Sequence, residues 1–357
     1  MIRILHISPS INVKGGISAL LQYFLTTDLP NCYELHFVAS HKDGSKIFKY
    51  FVAITGMLRM IYLMVFGKID IVHIHCGDIT SSHRKYFYFR IAQFFKKIIV
   101  IHLHGALFIE QFNQSSLSWR KRLGVFFEES HLVICLAKSW SHEIGLLFPR
   151  SKRLVIPNGI PLPQIDCLQR DHKEVIITFL GLIGSRKGVF DLLLVVKDLV
   201  AQGFPILLKI GGNGEVDKLK RYIQEASLQD HVEYLGWVTP LEKKQLLEKT
   251  DIYALPSYGE GMPMSILEAM SYSIPIVSTM VGGIPELVTN DYSGFLVCPG
   301  DTGQLSSKLK LLVESKALRC EMGKHARESV EQFHDIELVV KRIGEVYNKL
   351  FSHGGLY

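Results

Sequence analysis

The residues best suited to chemistry lie in Pro256-Ser257-Tyr258-Gly259-Glu260-Gly261-Met262-Pro263-Met264-Ser265-Ile266-Leu267-Glu268. This segment follows a strand-like run, turns through glycines and enters a helix near Pro263, a residue favoured in a first helical turn. The free amides of residues 262 to 265, at the start of that helix, suit a diphosphate or sugar hydroxyls, because helix N-termini present amides and a positive dipole end. Glu268, just over a turn further on, leans back toward the same end, where a carboxylate accepts hydrogen bonds from a vicinal diol such as a ribose. Glu260 stands in the loop itself. Taken alone, both glutamates read more readily as solvated or helix-capping residues.

The neighbouring loops change that weight. Phe179-Leu180-Gly181-Leu182-Ile183-Gly184-Ser185-Arg186-Lys187-Gly188 and Ile210-Gly211-Gly212-Asn213-Gly214-Glu215 each place glycines, and the first also cations, after a strand-like run. Near the amino terminus, Gly15-Gly16 stands between a strand and a helix, a weaker signal that an ordinary tight turn also explains. Two His-x-His pairs, His73/His75 and His102/His104, each put both rings on one face of a strand and supply nitrogen ligands for a metal.

The elements that must carry these loops alternate strand and helix along the whole chain, the pattern of parallel sheets wound with helices. Strands are expected over residues 2–7, 34–39, 69–75, 98–104, 132–136 and 153–156, then 175–180, 206–210, 232–235, 252–255, 274–278 and 294–297. That is an α/β chain of two doubly wound, Rossmann-like domains, at residues 1–165 and 166–357, facing a cleft. The three prolines and one glycine of Pro157-Asn158-Gly159-Ile160-Pro161-Leu162-Pro163 read as the linker. A terminal helix over 336–351 is expected to pack back on the first domain. In such sheets ligands bind beyond the carboxyl ends of the strands, where the glycine-rich loops fall.

Composition narrows the function classes. With 357 residues, 48% hydrophobic and 21% charged, the chain is globular and long enough for two cores. Six scattered cysteines (Cys32, Cys76, Cys135, Cys167, Cys298, Cys320) show no zinc-knuckle or disulfide spacing and fit a reducing cytosol. The start Met1-Ile2-Arg3-Ile4 lacks a secretory pattern, and Arg59 interrupts the apolar stretch from Tyr50 to Gly67, arguing against export and against a membrane span. Charge is uneven: residues 1–165 carry 19 Lys and Arg against 9 Asp and Glu, and residues 166–357 carry 21 against 25. In the basic half the cations mix with aromatics, as in Arg84 to Arg90 and Trp119 to Arg122. That mixture suits an anionic membrane surface better than nucleic acid.

Together, Lys187-Gly188, the Gly211 to Glu215 turn, Leu235-Gly236-Trp237-Val238, the Glu260/Glu268 pair, Val281-Gly282-Gly283-Ile284-Pro285-Glu286 and Ser293-Gly294-Phe295 to Asp301 resemble the glycosyltransferase family 4 group of GT-B transferases. Gly15-Gly16, His104-Gly105 and Pro157-Asn158-Gly159 extend the resemblance into the first half. It implies transfer of a sugar from a nucleotide-sugar donor, held mainly by the second domain, to a glycan or lipid-linked acceptor, with retention of configuration. Lys187 is then expected to neutralise the donor diphosphate and Glu268 to bind the ribose. Glu260, Gly261, Met262, Pro263 and Met264 are expected to hold the transferred sugar and phosphates, and His104 to stand near that sugar. Gly15, Gly16, Gly212 and Asn213 join the donor site, with Trp237 and Val238 near the base. A UDP-sugar donor, a lipid-linked or surface-polysaccharide acceptor and a cytoplasmic enzyme docking on the inner membrane face are the expectations. No cofactor or metal is expected, and the chain has no Asp-x-Asp metal signature. With no carboxylate evident as a nucleophile in the first domain, front-face attack is the expected route.

One position departs from the family pattern: Leu182 stands where an arginine clamp is common, leaving Arg186 as its candidate substitute. Three alternatives follow from the same residues. The histidine pairs could serve a metal-dependent hydrolase, which needs a barrel and a carboxylate. The loops would equally suit a non-transferring GT-B enzyme such as a sugar-nucleotide epimerase or a phosphorylase. The loss at Leu182 would suit a silent sugar-nucleotide binder.

Overall fold

The computed structural model describes residues 1–105, 107–164 and 173–355. The expected boundary at residue 165, and Cys167, lie outside the described residues. The chain forms two compact units, Met1–Pro161 with His334–Tyr357, and Leu162–Phe333.

The first unit contains β1 (Arg3–Pro9), β2 (Glu34–His41), β3 (Ile71–Cys76), β4 (Ile98–Leu103), β5 (Leu132–Cys135) and β6 (Arg153–Val155). They form one sheet in the order β2-β1-β3-β4-β5-β6, and every pairing is parallel. Parallel strands need crossover helices that cover both faces, which is why β3 and β5 are buried along their whole length. The terminal helix Ile336–Ser352 belongs to this unit. Its Gly344 carbonyl accepts from the Tyr33 hydroxyl at 2.9 Å, its Tyr347 ring is buried edge-on to Tyr33, and its entry is fixed by His334 against the Asn158 carbonyl at 3.0 Å.

The second unit contains β7 (Val175–Leu180), β8 (Ile206–Gly211), β9 (Val232–Gly236), β10 (Ile252–Leu255), β11 (Ile276–Thr279) and β12 (Gly294–Val297). Its sheet runs β12-β11-β10-β7-β8-β9, again all parallel. The order reverses between β7 and β10, and the crevice at this switch point is bordered by the loops that follow these two strands. Strand β11 starts two residues later than the sequence suggests. Ser273 adopts φ 54° and the Ile274 amide bonds back to the Ala269 carbonyl at 3.3 Å, so Ile274 closes the preceding helix rather than opening the strand.

The basic, aromatic run Arg84 to Arg90 differs from the surface expected of it. Lys85, Tyr88 and Phe89 of helix Ile79–Phe94 are fully buried, with the Lys85 ammonium on the His75 carbonyl and on Ser81 Oγ at 3.0 Å. Burial lowers the Lys85 pKa to about 8. Exposed apolar surface lies instead on helix Lys46–Phe66, where Ile47, Tyr50, Phe51, Leu58, Tyr62 and Phe66 are each more than 60% exposed. The opposite face of that helix buries Val52, Ala53, Met60 and Met64, and the Tyr88 hydroxyl donates to the Ala53 carbonyl at 2.8 Å.

Candidate active site

The loops after β7 and β10 meet at the switch point of the second sheet. Lys187 closes a single 3₁₀ turn (Ser185–Lys187), and its ammonium makes an ion pair with Glu260, a residue only 5% exposed. Gly188 makes the approach possible: at φ 69°, a Cβ there would lie 1.9 Å from the Pro256 carbonyl oxygen. Gly282 does the same for the loop after β11, its φ of 56° and the 1.8 Å separation of a built Cβ from the Glu260 carbonyl excluding any side chain. The Gly283 amide then donates to the Gly261 carbonyl at 2.7 Å.

Arg186 braces this junction. Its carbonyl accepts from the Tyr258 amide at 2.8 Å and the Ser257 hydroxyl at 3.0 Å, and its guanidinium donates to the Gly259 carbonyl at 2.9 Å. Leu182 is half-exposed and brings no charge.

Helix Met264–Ser271 starts at Pro263 with no side-chain cap on its N-terminus. Its first turn therefore holds amides without an intrahelical partner beside the Lys187–Glu260 pair, a combination fit for an anion. Glu268, 8% exposed, is held by Lys243 at 2.5 Å. Lys243 escapes the sequence reading. It stands on helix Pro240–Lys249, whose start is fixed by the Thr239–Glu242 capping box, and that box is the only local signal pointing to it.

The glycine turn after β8 completes the edge. Gly212 donates to the Gly236 carbonyl at 2.7 Å and accepts from the Tyr234 hydroxyl at 2.9 Å, while the Asn213 carbonyl accepts from Ile183 at 2.7 Å. Val238 packs beside Gly211, and Trp237 is 44% exposed. Lys187, Glu260, Gly261 to Met264, Glu268, Gly212, Asn213, Trp237 and Val238 thus all follow carboxyl ends of strands in one sheet. In the first unit, Gly15 caps helix Gly16–Leu25 after β1, and His104 follows β4, its Nε2 bonded to His75 Nδ1 at 3.1 Å.

The family model of the glycosyl transferases group 1 matches residues 164–329. The matched segment, which lies within the second unit, is that of a group 1 glycosyl transferase. The chain is similar to the amylovoran biosynthesis glycosyltransferase AmsK of Erwinia amylovora, 28% identical over 234 residues, covering 63% of this chain and 58% of AmsK. It therefore spans less than two thirds of that relative's length. It is also similar to the UDP-Gal:alpha-D-GlcNAc-diphosphoundecaprenol alpha-1,3-galactosyltransferase of Escherichia coli, 27% identical, with 82% and 78% of the two chains covered. Among solved structures, a sucrose-phosphate synthase from Thermosynechococcus elongatus matches 99% of this chain and 100% of its own with TM-score 0.84 at 17% identity. Anabaena HepE in complex with UDP-glucose matches 98% and 100% with TM-score 0.75 at 18% identity. The two Rossmann-like units are those of the GT-B fold. Open parallel sheets replace the barrel that a histidine-metal hydrolase would need.

Proposed function

We propose that this chain is a retaining glycosyltransferase that moves a sugar from a UDP-sugar to a lipid-linked or surface-polysaccharide acceptor. The observation that carries this reading is the part-buried Lys187–Glu260 pair at the switch point of the second sheet, beside an uncapped helix N-terminus. Loss of a nucleoside diphosphate builds negative charge on the leaving phosphate, and a fixed ammonium with helix amides stabilises that charge without reorganising. Lys187 faces the diphosphate in this reading, and Glu260 both orients Lys187 and accepts from the hydroxyls of the transferred sugar. Glu268, fixed by Lys243, accepts from the ribose diol. Trp237 and Val238 flank the base, and Arg186 keeps the Gly259–Glu260 turn in place.

The site so described needs no metal, because Lys187 and backbone amides supply the positive charge. His104 keeps the role toward the transferred sugar that the family resemblance implies, and the departing phosphate oxygen takes the acceptor's proton in a front-face attack. Support for the donor comes from HepE, solved with UDP-glucose, and support for the acceptor from the relative named for a diphosphoundecaprenol substrate.

A lipid-linked acceptor calls for contact with a membrane. Helix Ile47–Phe66 is long and apolar enough to cross a bilayer, yet its Val52, Ala53, Met60 and Met64 face is already buried in the first unit. The exposed face, with Tyr50, Phe51, Leu58, Tyr62 and Phe66, suits the interfacial plane of an anionic leaflet, where each large apolar side chain contributes about 1.5–3 kcal/mol on burial. The basic balance of residues 1–165 favours the same surface.

The decisive assay incubates the chain with UDP-, GDP- and ADP-linked hexoses and a diphosphoundecaprenol-linked sugar in EDTA, and follows nucleotide release and product anomer by NMR. Release of UDP with an α-linked product from an α-linked donor supports the reading. Release of none of the nucleotides, or inversion of the anomer, contradicts it.

A further inference from the structure

Five histidines from three adjacent strands share one face of the first sheet. The register pairs His6 of β1 with His73 of β3, and His75 of β3 with His102 of β4. Parallel strands in register put paired residues on the same side, so the five rings of His6, His73, His75, His102 and His104 stack. Ring centroids are 4.3 Å apart for His73 and His75, 4.1 Å for His102 and His104, and 5.3 Å for His75 and His104. His6, His73, His75 and His102 are at most 1% exposed, and His104 alone is partly open.

The hydrogen bonds leave this cluster incomplete. His6 Nδ1 meets His75 Nε2 at 3.0 Å and His75 Nδ1 meets His104 Nε2 at 3.1 Å. Among the described residues, neither nitrogen of His102 has a partner. Every neutral imidazole carries an N–H and a lone pair, and leaving both unmet in a core is costly. The charged groups acting on the cluster are its own members and Lys85, so protonation is disfavoured. Burial lowers the His102 pKa to about 3 and holds His75 and His104 well below the ordinary range. The rings are neutral at pH 7, the form in which imidazole binds metals.

We propose that His75, His102 and His104 bind one borderline-soft dication such as Zn²⁺. One nitrogen from each lies within 4.8 Å of the others. Tetrahedral zinc with nitrogens at about 2.0–2.1 Å spaces them about 3.4 Å apart, close to the distance His75 and His104 already keep. Three imidazoles without an oxygen ligand select zinc and its neighbours over Mg²⁺ or Ca²⁺. His6, on the other nitrogen of His75, supplies the outer contact that orients a ligating ring. His104, at the carboxyl end of β4, opens the way in. On the transferase reading above, a bound ion takes His104 away from the transferred sugar, so zinc inhibits.

The test uses the full chain, stripped with EDTA, loaded with ZnCl₂ and dialysed, with metal measured by elemental analysis. The wild type is expected to retain one zinc per chain and, loaded with Co²⁺ instead, to show the intense visible bands of a tetrahedral site. His102→Leu, close in size and free of the unmet nitrogens, is expected to melt no lower than the stripped wild type and to bind zinc at least tenfold more weakly. Should His102→Leu fail to fold, His104→Asn, at the partly open position, must lose the zinc instead. No zinc retained by the wild type, or equal retention by the variants, overturns the proposal. Zinc is further expected to slow wild-type transfer and to leave the rate of His102→Leu unaffected by its addition. A chain that retains zinc through His102 but transfers no sugar contradicts the transferase reading and leaves the metal site standing.

Discussion

The two units share one architecture and treat buried polarity in opposite ways. At its switch point the second unit buries two acids, Glu260 and Glu268, and gives each a lysine, Lys187 and Lys243. Along β1, β3 and β4 the first unit buries four imidazoles, with His104 partly open just after β4, and with no carboxylate acting on the five it holds them neutral by desolvation. A paired buried charge keeps a strong local field that a substrate phosphate can use when it arrives. A stack of neutral rings keeps lone pairs. The difference teaches that the same strand ends can be prepared for an anion or for a cation, depending on whether burial is offset by pairing or by loss of charge.

The largest expected effect tests the pairing. Lys187→Ala strands the carboxylate of Glu260, a residue only 5% exposed, and removing one partner of a buried pair costs about 3–5 kcal/mol. Transfer should fall at least tenfold. The double variant Lys187→Met/Glu260→Gln should recover most of the stability and none of the rate, as read by denaturant titration beside turnover. A double variant as unstable as the single one would show that the pair does not act as a unit.

The imidazole side of the comparison is tested by acid. Each of these histidines binds a proton when unfolded near pH 6.5 and stays neutral when folded down to about pH 3 for His6 and His102. The unfolded state therefore takes up more protons, and stability is full above pH 6.5 and falls as pH drops toward 3. Each such group contributes a slope of about 1.4 kcal/mol per pH unit across that window. Calorimetry should find His102→Leu with a shallower acid slope than the wild type; an unchanged slope would mean that His102 is not buried neutral.

Lys243→Met sharpens the second unit further. Lys243 is only partly buried, so a loss near 1 kcal/mol is expected, with donor affinity reduced roughly three- to tenfold. Smallest for the fold, and decisive for the membrane, is Phe51→Ser/Leu58→Ser/Phe66→Ser. These side chains are exposed, so the melting temperature should barely move, while flotation with anionic vesicles should be lost. Flotation that survives the triple change would remove helix Lys46–Phe66 from the membrane reading.

Much of the second unit was legible in its sequence, because its signals are local. Strand runs bounded by glycine, Lys187 ahead of Gly188, and Glu260 eight positions before Glu268 are read without knowing what touches what. Lys243 was not, since its partner lies 25 residues away and only the packing of helix Pro240–Lys249 brings them together. In the first unit the two His-x-His pairs were visible, but their union with His6 depends on register between strands up to 69 residues apart. Lys85 misleads for a related reason: a lysine in a basic, aromatic run reads as surface until helix Ile79–Phe94 is seen to turn it onto the His75 carbonyl.

The central claim is that the Lys187–Glu260 junction binds a nucleoside diphosphate without metal. It is tested most directly by calorimetric titration of UDP, GDP and ADP into the full chain in EDTA, with Lys187→Ala as the companion. The account predicts binding of one of them, UDP foremost, weakened at least tenfold in the variant. Equal affinity in both proteins, or no binding of any of the three to the wild type, would contradict it.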